Sequence, residues 1–245
     1  MKWMLAYACA AMCAVLLLSA ACGDDPAEAH CNKGVAYEIA GEFRLAIQEY
    51  DKAIELNPNF PNAYISRGFA YDNLGEPHRA IEDYDKAIEL DSNYARAYNN
   101  RGHSYYLLED FGRAMDDFNK AIEVDSTYAL AYNNRGWIYF SLQSYRSAIA
   151  DFDRAIELDL DFSWPHYNKG RAYARLGEHR QAIMHYTLAI EVDSNYADAY
   201  HYRALAHMVL GDHRHAVDDL NKALTLTQDP EDRAAISGAL SALQQ

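Results

Sequence analysis

One 34-residue pattern recurs six times without an insertion, over residues 27–60, 61–94, 95–128, 129–162, 163–196 and 197–230. The eighth position of each copy is Gly34, Gly68, Gly102, Gly136, Gly170 and Ala204, and the twentieth is Ala46, Ala80, Ala114, Ala148, Ala182 and Ala216. The twenty-seventh is again always alanine, from Ala53 through Ala87, Ala121, Ala155 and Ala189 to Ala223. Small residues in three fixed registers, with large apolar residues between them, are what paired helices need to approach closely. No single copy can bury its own apolar face, so the stack of copies is the folding unit.

Within each copy the spacing predicts one helix over positions 2–14 and a second over positions 18–31. In the second copy Tyr64, Gly68 and Tyr71 lie four and three residues apart, on one helical face. Gly41, Gly75 and Gly177 fall between the two helices, where glycine adopts a tight turn without Cβ strain. Glu109 and Gln143 occupy the same position in two copies, and those turns are expected to close in another way. Between copies, Asn57, Pro58 and Asn59, like Asp91, Ser92 and Asn93, combine turn formers and end the preceding helix. After Pro230, the spacing of Ile236, Leu240 and Leu243 predicts a capping helix over 231–245 that covers the sixth copy.

The formal charge of −14 opposes non-specific nucleic-acid binding, and no long Lys/Arg run overrides it. The first 22 residues belong to another class. Lys2 precedes an apolar stretch from Trp3 to Leu18, followed by Ser19, Ala20, Ala21 and Cys22, an order that reads as an export segment over 1–21. Its end resembles the lipobox of bacterial lipoproteins, with Ser19 in place of the usual aliphatic residue. That resemblance implies lipidation of Cys22, a short tether over 22–26, and a protein anchored in the bacterial envelope and facing the periplasm. Gly23, rather than Asp, after the cysteine favours the outer membrane in that family. Cleavage after Ala21 without lipidation, and retention as a membrane anchor, are the alternatives. Cys31, the one cysteine within the repeats, is expected to be a buried or groove-facing thiol, and no disulfide framework follows.

The chain resembles the tetratricopeptide repeat family from residue 27 to residue 230. Gly68, Tyr71, Ala80, Tyr84 and Ala87 match its pattern in the second copy, as do Gly136, Tyr139, Ala148, Phe152 and Ala155 in the fourth. The sixth departs most, with Ala204, His207 and Leu220. The resemblance implies an all-α fold, a right-handed superhelical α-solenoid of tandem helical hairpins. It also implies a concave groove lined by the first helices. Carried over residue by residue, the binding positions are Phe69, Asn73, Asn99, His103, Tyr106, Asn133, Trp137, Phe140, Trp164, Tyr167, Arg171 and Arg175. Rings supply contact area at modest entropic cost, and Asn and Arg satisfy carbonyls or carboxylates.

Trp137 stands out because position 9 is not a packing position of the repeat: the other copies have Val35, Phe69, His103, Arg171 and Leu205 there. Binding and packing within a tightly wound groove both account for it. The carboxylate clamp of certain family co-chaperones is disfavoured, because position 5 carries no lysine in any copy, although Asn100, Asn134 and Asn168 match its asparagine. Position 7 is basic throughout, and the acidic pairs Glu82 and Asp83, Asp116 and Asp117, and Asp218 and Asp219 are expected to be solvated and to pair with it.

The histidines near the C-terminus, His207, His213 and His215 among them, form no recognisable zinc motif and read as structural or surface residues. No phosphate loop, nucleophile elbow or catalytic triad is present, and neither an enzyme nor a cofactor is expected. The expected function is that of a membrane-tethered periplasmic scaffold, recruiting a protein or peptide partner in its groove to support an envelope complex. The alternative is a self-associating assembly protein, a homo-oligomer without a groove ligand. Met184, His185, Thr187 and Leu188 on the outer side of the fifth copy are the candidate seam.

Overall fold

The computed structural model describes residues 25–243. The export segment and the lipidation assignment at Cys22 lie outside the described residues, as do Gln244 and Gln245. The chain is an all-α solenoid of tandem helical hairpins, with no strand among the described residues. It divides into two compact units. In the first, up to Ser126, α1 (Pro26–Ile39) pairs with α2 (Phe43–Leu56), α3 (Pro61–Asn73) with α4 (Pro77–Leu90), and α5 (Ala95–Leu107) with α6 (Phe111–Val124). In the second, from Thr127, the pairs are α7 (Ala129–Ser141) with α8 (Tyr145–Leu158), α9 (Ser163–Arg175) with α10 (His179–Val192), and α11 (Ala197–Val209) with α12 (His213–Leu226). A final helix, α13 (Pro230–Ala242), follows. Among the described residues no helix is long and apolar enough to cross a membrane.

From α2 to α12 each helix starts and ends one residue earlier than the spacing predicts, and α13 starts one residue earlier and ends three residues earlier than expected. In α3 and α4 the cause is visible: Pro61 and Pro77 take the first helical position, where the missing N–H costs nothing and φ is already helical. Between hairpins, the side chains of Asn57, Asp91, Asp159 and Asp193 each accept a bond from the backbone N–H two residues on, at 2.9–3.1 Å. These local turns break what would otherwise be one long helix. Ahead of α13, Asp229 accepts from the N–H groups of Glu231 and Asp232, and Ile236 is buried in a cluster with Ala216, Leu220 and Ala223 of α12.

The alanines at positions 20 and 27 are fully buried in every copy. At position 8 the helices approach so closely that a Cβ on Gly102 would lie 2.9 Å from a ring carbon of Phe118, and one on Gly68 would lie 2.8 Å from Tyr84. In the five copies with glycine at position 8, the first helix thus rests directly on the ring at position 24 of its partner. Between the helices, Gly41, Gly75, Gly177 and Gly211 adopt φ of 75–77°. Contrary to expectation, Glu109 and Gln143 close their turns in the same way, at φ of 60° and 59°. The hairpin geometry imposes the left-handed conformation on them, at the cost of Cβ strain.

Position 7 supplies the electrostatic frame. Arg67 donates from Nε and Nη2 to both oxygens of Asp83 (2.8 and 2.6 Å) and from Nη1 to Asp51 (2.6 Å), a position-25 carboxylate of the preceding hairpin. Arg101 repeats the arrangement with Asp117 and Asp85. Asp83, Asp117 and Asp219, the inner members of the acidic pairs, pair with position 7 as expected but are buried rather than solvated, and Asp151 is buried likewise. It is held by a fork of charge-assisted bonds. The guanidinium also lies 5.5–5.6 Å from the ring at position 4 in Tyr64, Tyr98, Tyr132 and Tyr200. The fifth copy breaks the pattern: His185 replaces the aspartate, and Lys169 turns to Asp153 of the preceding hairpin.

Position 12 follows the ring at position 24. The Tyr50 hydroxyl donates to Glu38, and the Tyr84 hydroxyl donates to Asp72, which also accepts from Ser104. Where the ring is Phe118 or Phe152, position 12 is Tyr106 or Phe140. Tyr186 faces a hairpin with Ala174 at position 12, and its buried hydroxyl has no partner among the described residues. Desolvation raises both carboxyls, Glu38 and Asp72, to about 7. The Cys31 thiol is buried, and desolvation raises it to about 11.

Replacing Gly102 with leucine is expected to destabilise the chain by about 1–3 kcal/mol or more, because the ring of Phe118 has no room to yield. Denaturant unfolding monitored by circular dichroism measures this, and a neutral result would remove the close contact from the core. Glu38 and Asp72 keep their protons in the folded state up to about pH 7, whereas the unfolded chain releases them near pH 4. Their contribution to stability is therefore present at low pH and falls as pH rises from about 4 to 7. A Glu38→Gln/Asp72→Asn variant should show a flatter dependence of Tm on pH across that window, and an unchanged slope would assign it to other groups.

Candidate functional site

In the first unit, four members of the expected set with partial exposure lie on α3 and α5. Phe69 and Asn73 stand one turn apart on α3, and the Asn73 amide donates back to the Phe69 carbonyl at 2.7 Å. On α5 the rings of His103 and Tyr106 lie 6.3 Å apart, and Tyr106 leans on Phe111 of α6 at 5.8 Å. Desolvation lowers the His103 imidazole to about 4, so at neutral pH it presents an uncharged ring. All four side chains keep partial exposure.

Four members of the expected set are buried: Phe140 and Tyr167, which keep 8% and 7% exposure, and Asn99 and Asn133. The two asparagines are fully buried and offer a ligand no surface. Position 5 points between neighbouring first helices, as the bond from the Asn168 amide of α9 to the Asn133 carbonyl oxygen of α7 shows (3.0 Å). Asn99 donates to Asn100 beside it at 3.2 Å. The bond between Asn133 and Asn168 links the first helices α7 and α9 and satisfies buried polar groups.

The second unit gathers three aromatic members of the set, Trp137, Phe140 and Tyr167, around one cation. Trp137 and Phe140 of α7 stack at 5.1 Å with an interplanar angle of 11°. The Arg171 guanidinium of α9 lies 4.7 Å from the Trp137 ring, 5.1 Å from Phe140, 5.6 Å from Tyr167 and 5.3 Å from Tyr202 of α11. Tyr167 is buried, with Tyr202 edge-on at 5.7 Å and Tyr196 at 4.9 Å. Trp164, at the start of α9, tilts against Phe162 at 6.1 Å, and Arg175 is exposed one turn beyond Arg171.

Arg171 makes no ion pair among the described residues, in contrast to Arg135 and Arg203 at position 7 of the neighbouring copies. Ring faces stabilise a guanidinium without using its N–H donors, by about 0.5–2 kcal/mol each in partly desolvated surroundings. The in-plane donors stay available for a carboxylate or carbonyl. Tyr202 was not among the expected positions. Its signal is readable in retrospect: position 6 is asparagine in copies three, four and five, and the sixth puts a ring there.

The tetratricopeptide repeat family profile matches residues 27–60, 61–94, 95–128 and 129–162, more than half of the chain. A TPR repeat profile matches 170–211, and a second tetratricopeptide repeat profile matches 197–230. No curated protein matches the chain. Among solved structures, the chain is similar to one in the APC/C hetero-tetramer Cut9–Hcn1, at 18% identity and a TM-score of 0.82 over 97% of this chain, which spans 46% of that one. It is similar in fold to PilW, described as a widely conserved type IV pilus biogenesis factor, at 19% identity and a TM-score of 0.76, covering 86% of this chain and 97% of that one. YrrB, described as a TPR protein with an unusual peptide-binding site, shares 26% identity at a TM-score of 0.56, covering 77% of this chain and 97% of YrrB. With the small residues in register and four consecutive matched copies, the chain belongs to the tetratricopeptide repeat family, a non-catalytic protein-interaction fold.

Proposed function

We propose that the chain is a membrane-tethered scaffold of the bacterial envelope that captures an extended segment of a protein partner on the first-helix face of its second unit. The observation that carries this reading is Arg171, held by four rings with no carboxylate of its own. A segment with apolar bulk for Trp137 and an acidic side chain or terminal carboxylate for Arg171 satisfies both groups at once. The peptide-binding site named for YrrB lends support to this use of the fold. Anchoring rests on the order of residues from Lys2 to Cys22, with the lipid on Cys22 and the solenoid facing the periplasm. The second reading, self-association, has one supporting feature: Met184 is 51% exposed on α10, where the acidic pattern of the outer helices lapses.

Crosslinked co-purification from membranes compares the intact chain with Trp137→Ala and Arg171→Ala forms. Loss of a central aromatic anchor costs about 2 kcal/mol or more, roughly a thirtyfold drop in affinity. Both variants should keep their helicity and lose partner capture. Unchanged capture by both would remove this face from the function, and a mass that rises with concentration and responds to Met184→Glu instead would support self-association. Cys22→Ala should move the chain from the membrane to the soluble fraction, and unchanged membrane retention would refute lipid anchoring.

A further inference from the structure

The second and third hairpins share a three-residue corner at positions 11, 16 and 19. In the third copy Arg113 donates to Asp110 at 2.7 Å and lies 4.3 Å from the ring of Tyr105. In the second, Arg79 donates to Glu76 at 2.7 Å and lies 4.0 Å from Tyr71. The sixth copy keeps the carboxylate, Asp212, and replaces both of its neighbours with imidazoles, His207 and His215. The ring of His207 stacks on that of His215 at 5.2 Å, so the corner keeps its shape. Its chemistry has changed: an aromatic face and a fixed cation have become two nitrogen ligands.

Both Nδ1 atoms converge on one carboxylate oxygen, with His215 at 2.7 Å and His207 at 3.4 Å from Asp212 Oδ2. The potential ligand atoms of the three residues lie within 4.8 Å of one another. An ion bonded at about 2.0–2.1 Å to each ligand draws such atoms to roughly 3.3 Å apart, a change that rotation of the exposed His215 ring supplies. The other oxygen of Asp212 caps α12 by accepting from the backbone N–H of His215, which holds the carboxylate in place. The nearby cation, Arg203, is neutralised by its fork to Asp219. We propose that His207, Asp212 and His215 form a binding site for a divalent first-row transition cation of the zinc class, with a fourth position open to solvent. Two imidazoles and one carboxylate suit zinc over magnesium or calcium, which take oxygen ligands.

Calorimetric titration of the full chain with zinc chloride, purified without a histidine tag, tests the assignment, with magnesium chloride as the control. One saturable zinc site, a zinc-dependent rise in Tm, and cobalt(II) absorption of a low-coordinate nitrogen–oxygen site are expected. His207→Tyr/His215→Arg rebuilds the corner of the second and third copies, so it should fold and lose the site. Asp212→Asn keeps the helix cap and should bind zinc at least about tenfold more weakly. His213→Asn, whose side chain is outside the corner, should bind as the parent does. Absence of a saturable site, or zinc binding by the Tyr/Arg variant equal to that of the parent, would overturn the proposal.

Discussion

The contact between the residue at position 8 of each first helix and the ring at position 24 of its partner determines how near the two helices can come, and the rest of the solenoid follows from that distance. Where position 8 is glycine, a ring edge takes the space of a missing Cβ, as Phe118 does at Gly102. The buried alanines at positions 20 and 27 then meet the neighbouring helix without a void. At Ala204 the ring is replaced by Leu220, a smaller apolar group for a residue that does carry a Cβ. The two exchanges compensate within one hairpin, and volume is conserved.

Once the helices are set, charge and aromaticity divide the remaining positions between holding and binding. Position 7 lies over the partner helix, and every arginine there finds a buried aspartate at position 23. Breaking such a pair leaves an uncompensated buried charge, which typically costs about 3–5 kcal/mol. Position 9, two residues on, points away from the partner helix, and an arginine there meets rings rather than carboxylates. The same residue type is thus structural at Arg101 or Arg135 and a candidate recognition group at Arg171, by a rotation of about 200° around the helix.

Much of this was legible in the residues. The hairpins, the small registers and the basic column at position 7 follow from periodicity, because a repeat multiplies each weak local signal. What escaped is what periodicity does not encode. Whether the amide of Asn133 faces a groove or the seam between first helices depends on a lateral angle between hairpins, and the seam has it. The left-handed turns at Glu109 and Gln143 are imposed from outside, since neither residue favours them. Tyr202 joins the Arg171 cluster from the next copy, a neighbour in space that a column-by-column reading of first helices does not flag. His207 and His215 are separated by a turn, and their meeting on Asp212 becomes visible only when the hairpin closes.

The fifth hairpin, α9 with α10, differs in where its strength resides. Lys169 reaches Asp153 in the hairpin before it, and Arg203 of the hairpin after it reaches back to Thr187, while His185 joins α10 to α9 by stacking on Tyr173 at 5.3 Å and on His166 at 6.3 Å instead of by an ion pair. In a linear array, cohesion divides into what each unit supplies internally and what it shares with its neighbours. In this unit the internal part is made of rings and the shared part of charge. Screening by salt therefore loosens its boundaries before it loosens the pair itself, and the face that carries Arg171 sits on a hairpin whose own closure does not rest on charge.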